Sequence, residues 1–383
     1  MTRGRRVDYE AVVTLPTTAR AAALVGYGRP LELLDVAVPE LEPGSILVKT
    51  TAATICASDV HIWQGEVGMV EAVFPRILGH EMTGRIAALG PGVTADSVGQ
   101  PLAEGDRIIW THSFCGQCEE CVIEHQPTIC PNRRFYMSRP CTEFPYLTGG
   151  FAEYCYVFPT SGRVKVPDLV PDELAAAAAC AFRTVLHGFD RLGGLDDRHS
   201  VLIQGSGPLG LFSLARAVRG GSGKIIVVGG PARRLELARS WGATHTLDIA
   251  DVPDAVERRE LIREWTGGKG PDVVIEVSGA LPAVAEGLDV IRPGGRYLVI
   301  GQVHGEVVPI PTGAIVAKHL QVIGTLSASV EHYYRALRFI ERNWDRFSWM
   351  EMISGRYPFE RINDALEAMQ DLREIKPAIT FGP

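Results

Sequence analysis

Val201-Leu202-Ile203-Gln204-Gly205-Ser206-Gly207-Pro208-Leu209-Gly210 decides the fold. Four residues of a buried apolar strand run directly into Gly-x-Gly-x-x-Gly, and a helical apolar pattern continues over 208–219. The first two glycines let the chain turn tightly and bring bare backbone close to a ligand. The helix N-terminus behind them presents unpaired N–H groups to a pyrophosphate. A glycine-rich turn can also form with no ligand, and the pattern alone is unspecific; its weight comes from standing between a strand and a helix. Gly205, Gly207, Pro208, Leu209 and Gly210 are therefore the expected dinucleotide contacts.

On either side the apolar runs at 225–228, 273–276 and 297–300 alternate with helical patterns near 231–241 and 282–291, the rhythm of a doubly wound parallel α/β sheet. From about residue 20 to 160 the chain instead shows short β-type runs, such as 46–48, 84–88, 107–110 and 151–157, broken by Gly and Pro. The expected organisation is an N-terminal arm over 1–20, a mostly-β domain over 21–181 and 318–383, and a Rossmann domain over 182–317. Pro377-Ala378-Ile379-Thr380-Phe381 reads as a strand that rejoins the first domain.

An Asp or Glu closing the second strand of such a sheet holds the ribose 2′-hydroxyl of NAD and repels a 2′-phosphate. Gly229-Gly230 stands in that place, with Arg233 and Arg234 close behind, so the cofactor is NAD(P) with a lean toward NADP.

Cys115, Cys118, Cys121 and Cys130 follow one another as Cys-x2-Cys-x2-Cys-x8-Cys, half of the eight cysteines in the chain. Four thiolates at this spacing can close tetrahedrally on one structural zinc, in a lobe over 112–132. The alternative is a disulfide cluster, but cysteines two residues apart are better placed to share a metal than to staple distant chain. Cys56, His80 and Cys180 are the remaining soft ligands for a second zinc with an open position, whereas Cys141 and Cys155 read as core.

At 383 residues and a net charge of −7 the chain is long enough for two or three domains, with no basic stripe for nucleic acid. No apolar run has the length to cross a bilayer, and the first twenty residues lack the apolar core of a signal peptide. Cysteines used as thiolates point to a reducing, cytoplasmic setting.

With the glycine turn, the cysteine lobe, Cys56-Ala57-Ser58-Asp59-Val60-His61 and Gly79-His80-Glu81 in this order, the chain resembles medium-chain zinc-dependent alcohol dehydrogenases from about residue 21 onward. The segment from Cys130 to Tyr154 further resembles an outlying branch with members associated with phosphonate breakdown. The resemblance implies a GroES-like catalytic domain and two zinc ions per subunit. Cys56, His80 and Cys180 would hold the catalytic one, with Glu81 beside it, and Asp59 would orient His80. Ser58 and His61 would begin and end a proton relay, Thr184 would pack on the nicotinamide, and a homodimer or homotetramer is expected.

Two departures from the family stand out. The last lobe interval is eight residues rather than the more usual seven, and Ala57 occupies a place often basic, which shifts the expected pyrophosphate contact to Lys376. The implied reaction passes hydride between an alcohol, or its aldehyde or ketone, and NAD(P), with zinc stabilising the alkoxide. Zinc lowers the pKa of bound water by about nine units, about 12 kcal/mol. Trp63, Trp110, Thr111 and His112 fall near the substrate pocket of relatives. Arg133, Arg134 and Arg139 are either anion-binding groups or exposed loop charges, and Arg183 is either a cleft residue or a helix-surface arginine. A reductase of activated double bonds and a non-catalytic nucleotide-binding protein are the competing readings on this fold.

Overall fold

The computed structural model describes residues 15–66, 73–302 and 306–382. Six parallel strands form the central sheet, in the spatial order His245–Asp248, Lys224–Gly229, Ser200–Gln204, Val273–Glu276, Arg296–Val299, Gln321–Gly324. Alternation along each strand sends Val201 and Ile203, Ile225 and Val227, and Val273 and Ile275 into one core. Leu202, Ile226, Val274 and Tyr297 go into a second core on the opposite face. Both faces are therefore covered, as a parallel sheet requires. The strand order reverses between the strands beginning at Ser200 and Val273, and there the crevice for a dinucleotide opens.

The β-rich domain has a seven-stranded sheet and a three-stranded one. The strand Ile46–Thr54 is central to the larger sheet, pairing with Met82–Leu89, with Tyr154–Val157 and, antiparallel, with Pro377–Thr380. The C-terminal strand thus rejoins the first domain as its sequence suggests. A continuous helical segment links the two domains: Asp172–Ala177, a π-helical turn Ala178–Phe182, then Arg183–Leu192. Phe182 stacks on Phe212 of the helix Pro208–Arg219 at 4.5 Å, which fixes the turn against the dinucleotide domain.

Two expected boundaries move. The arm ends sooner, because Thr18–Leu24 is a strand paired with Glu32–Ala37; residues 1–14 lie outside the described residues. The Rossmann domain also runs past 317. Gln321–Gly324 is the edge strand of its sheet, and the helix Val330–Arg342 buries Tyr333, Ala336, Leu337 and Ile340 in its core. The strand was hidden because its side chains are mostly exposed and carry no apolar alternation.

At the glycine turn the backbone is close-packed. Gly205 has φ +124°, and a Cβ on Gly210 would lie 1.9 Å from the Gly205 carbonyl oxygen. We expect Gly210→Ala to cost about 1–3 kcal/mol of stability and to weaken dinucleotide binding, measured by chemical denaturation and cofactor titration. Wild-type values in both would contradict the packing.

Candidate active site and metal centres

The lobe cysteines meet as a cluster. Cys115, Cys118, Cys121 and Cys130 place their sulfurs within 4.8 Å of one another, with 3.7 Å between Cys118 and Cys130 and 3.5 Å between Cys130 and Cys115. Four sulfurs held about 2.3 Å from one zinc stand about 3.8 Å apart, whereas a disulfide needs about 2.05 Å. The donors fit the metal, and all eight cysteines of the chain are free thiols. The backbone N–H of Gln117 draws the Cys115 thiol down, while burial pushes the Cys118 and Cys121 thiols up.

Cys56, His80, Glu81 and Cys180 form the second cluster, their ligand atoms likewise within 4.8 Å. Each reaches it through local backbone geometry. Cys56 caps the helix Ala57–Gln64, whose third residue, Asp59, accepts a hydrogen bond from the Cys56 backbone N–H at 2.9 Å. Gly79, at φ +87°, turns the chain so that His80 faces inward, and a Cβ there would strike the Phe151 ring at 2.5 Å. Cys180 sits in the π-helical turn, a local widening common at functional sites.

The surroundings assign roles to the polar atoms. Asp59, fully buried, places Oδ1 3.4 Å from His80 Nδ1, which leaves Nε2 toward the cluster and 3.5 Å from Ser58 Oγ. Burial pulls the His80 imidazole down, and the charges of Cys180 and Asp59 more than reverse it. Burial also pushes the Glu81 carboxyl up to about 7 against the pull of Lys376. Glu81 Oε2 accepts from Thr54 Oγ1 at 2.5 Å and pairs with Lys376, while Oε1 is buried with no partner among the described residues. That orphaned oxygen beside two sulfurs and an imidazole suits a metal as an exchangeable ligand.

Several expected residues take other places. Lys376 is only 2% exposed and faces Glu81, under the cluster, rather than standing free for a pyrophosphate. His61 Nδ1 meets Glu66 Oε2 at 2.6 Å near the surface, and Thr184 donates its hydroxyl to the Cys180 carbonyl at 2.7 Å. Trp110, Thr111 and His112 are interior, and Trp63 donates to the Arg29 carbonyl. Arg133 donates to the Thr128 carbonyl and lies over Phe135, Arg134 lies over Phe158, and Arg139 is exposed. Arg183 is not a helix-surface residue: it is 3% exposed, lies over the Tyr333 ring, and donates Nε–H to Ala179. Burial, and then Arg183, hold the His112 imidazole well below its ordinary value, so its Nδ1 accepts from the Tyr136 backbone N–H.

Sequence reasoning missed Thr54, Glu66 and Met137, whose Sδ lies 3.3 Å from His80 Nδ1. None belongs to a motif; Glu66 alone carried a signal, as an acid five residues after His61.

At the dinucleotide turn, Ser206 Oγ donates to the Gly230 carbonyl and accepts from the Gly230 N–H, both at 3.0 Å. A Cβ on Gly229 would meet that oxygen at 2.5 Å, so the missing carboxylate is enforced by packing. Arg234 is buried and donates to the Glu374 carbonyl at 2.6 Å, while Arg233 is exposed. Asp248 brings a carboxylate from the neighbouring strand, its Oδ1 3.1 Å from where a Gly230 Cβ would stand.

A Rossmann crevice beside two cysteine sulfurs, an imidazole and a carboxylate oxygen that has no partner among the described residues defines a zinc-dependent dehydrogenase of the nicotinamide class. Residues 42–168 match the family model described as alcohol dehydrogenase GroES-like domain, and residues 208–342 the one described as zinc-binding dehydrogenase. The chain is 35% identical to 5-exo-hydroxycamphor dehydrogenase of Pseudomonas putida, over 94% of this chain and 98% of that one. It is 32% identical to L-threonine 3-dehydrogenase of Pyrococcus horikoshii, over 90% and 93%. An alcohol dehydrogenase structure from Thermotoga maritima superposes with a TM-score of 0.87 at 32% identity, over 95% of this chain and all of that one. The chain belongs to the medium-chain zinc-dependent alcohol dehydrogenases.

Removing one lobe ligand should unfold the lobe. We expect Cys118→Ser to lower the melting temperature and the bound zinc, because zinc binding and folding of such a lobe are one event. A variant that melted like the parent would show that no metal holds this loop.

Proposed function

We propose that the protein interconverts a secondary alcohol and its ketone with NAD(P). One zinc would sit at Cys56, His80 and Cys180, with Glu81 as an exchangeable fourth ligand, and a second at Cys115, Cys118, Cys121 and Cys130. The reading is carried by the convergence of Cys56, His80, Glu81 and Cys180, from three distant segments, on one point beside the dinucleotide crevice. The named substrates of its relatives, a hydroxycamphor and threonine at position 3, favour a hydroxyl whose oxidised form is a ketone. A reductase of activated double bonds has no use for this ligand set.

When bound, zinc supplies the charge that brings a hydroxyl proton within reach of neutral pH, and NAD(P) accepts the hydride. The residues of the chain do the rest. Ser58 Oγ, beside His80, accepts the hydroxyl proton while passing its own on toward His61, which is one-third exposed, held by Glu66, and releases a proton to solvent. Asp59 keeps the His80 ring in one orientation. Thr184, anchored on the Cys180 carbonyl, backs the nicotinamide, and the N-terminus of the helix Pro208–Arg219 takes the pyrophosphate. Lys376, buried against Glu81, is held away from that role.

On cofactor choice, the open edge at Gly229-Gly230 and the exposed Arg233 favour NADP. Asp248 opposes a 2′-phosphate, and the Glu374 carbonyl occupies Arg234. We infer that both dinucleotides are used. Exposed Val307, Val316 and Val322 support a homodimer or homotetramer, which light scattering decides, and eight free thiols suit the cytoplasm.

Cys56→Ser should abolish turnover while the protein stays folded and binds NAD(P), measured by steady-state assay and cofactor fluorescence. Normal turnover would remove Cys56 from the metal site. Asp248→Asn should raise the ratio of kcat/KM for NADP over NAD about tenfold, the scale of one charge contact. Arg233→Gln should lower that ratio. An unchanged ratio in both would place the discriminator elsewhere.

A further inference from the structure

Away from the crevice, Leu186 of the helix Arg183–Leu192, the C-terminal end of Pro208–Arg219 and one face of Val330–Arg342 surround a hollow of about 410 Å³. Five arginines line it: Arg216 and Arg219 from one helix, Arg335, Arg338 and Arg342 from another. Leu186 and Phe339 give it an apolar floor. For a chain with a net charge of −7 this is an unusual concentration of positive charge.

Only two of the five arginines have a carboxylate. Arg335 pairs with Asp190, and Arg338 with Glu341 at 2.7 Å. Arg216, Arg219 and Arg342 have no ion pair or hydrogen bond among the described residues; Arg216 has only the face of the Phe189 ring, 5.4 Å from its guanidinium carbon. Arginines in the last turn of a helix complement its dipole, which accounts for Arg216, Arg219 and Arg342 singly. It does not account for their gathering around one concavity. Burial, with Arg335 adding to it, holds the Arg216 guanidinium below its ordinary value, and Asp190, already paired with Arg335, offsets this only in part.

We propose that this hollow binds a small polyvalent anion bearing phosphate groups, at a site separate from the dinucleotide turn. Guanidinium forks match phosphate oxygens two at a time, and three of them lack any other acceptor. The concave shape and limited volume favour a compact ligand over a polymer. The site is independent of the cofactor pyrophosphate, since Arg219 closes the helix that Pro208 opens, about 16 Å away at about 1.5 Å per residue.

The test uses zinc-loaded protein saturated with NAD(P), so that the glycine turn is filled. Inorganic orthophosphate and fructose 1,6-bisphosphate are titrated separately by calorimetry at ionic strength held constant with potassium chloride. Two probes separate a free inorganic anion from an organic phosphate ester. Binding is expected in the wild type, with affinity falling about tenfold or more in Arg216→Gln and in Arg342→Gln, the loss of one charged hydrogen-bonding group. Arg342 is exposed, so its replacement leaves the fold and turnover intact and covers the case in which Arg216→Gln, losing its contact with Phe189, folds poorly. Three results would each overturn the proposal: no binding of either probe, equal affinity in the wild type and Arg342→Gln, or a short DNA duplex binding through the same arginines where both phosphates fail.

Discussion

One buried carboxylate holds the catalytic geometry together. Asp59 accepts from the backbone of Cys56 at 2.9 Å and of Gly79 at 3.2 Å, and faces the ring of His80. It therefore ties the helix that presents the first sulfur to the turn that presents the imidazole, two segments more than twenty residues apart. Hydrogen bonds to a charged acceptor contribute about 1.5–3 kcal/mol each, and a buried carboxylate with its acceptors met has no cheaper arrangement to move to. Cys56 and His80, the first two of the proposed metal ligands, are thus positioned by the chain alone.

The third ligand comes from elsewhere. Cys180 lies on the helical segment that crosses between the domains, and the π-helical turn there is anchored by Phe182 against Phe212 and Phe339. Cys180 is therefore brought to Cys56 and His80 by a segment packed on the dinucleotide domain, beside the helix Pro208–Arg219. Beneath the cluster, Lys376 and Glu81 form a buried pair joined by Thr54. The C-terminal strand that carries Lys376 to this point pairs with Ile46–Thr54, so the far end of the chain completes the floor of the site.

Much of this was legible in the residues. The apolar strands and the helix at 208–219 announced themselves, because strands buried on both faces read as continuous apolar runs. The lobe cysteines were equally plain, since all four fall within sixteen residues. The edge strand Gln321–Gly324 was not readable, having no buried face to impose a pattern. Nor was the burial of Arg183 and Arg234, because an arginine's partners are an aromatic face and a distant carbonyl, neither of which leaves a spacing in the sequence. Cys56, His80 and Cys180 lie too far apart for spacing to join them; the family resemblance grouped them, and the folded chain brings them together.

Ser206 limits how the coenzyme site can be altered. Its hydroxyl occupies the space a side chain at position 229 would need, and it clasps the next peptide unit from both sides. Grafting an acidic residue onto position 229 to redirect coenzyme usage would thus displace the clasp and distort the loop it was meant to improve. Any redesign of the adenosine end has to enlarge the room at 206 first, or work from the adjoining strand, where an acid already stands.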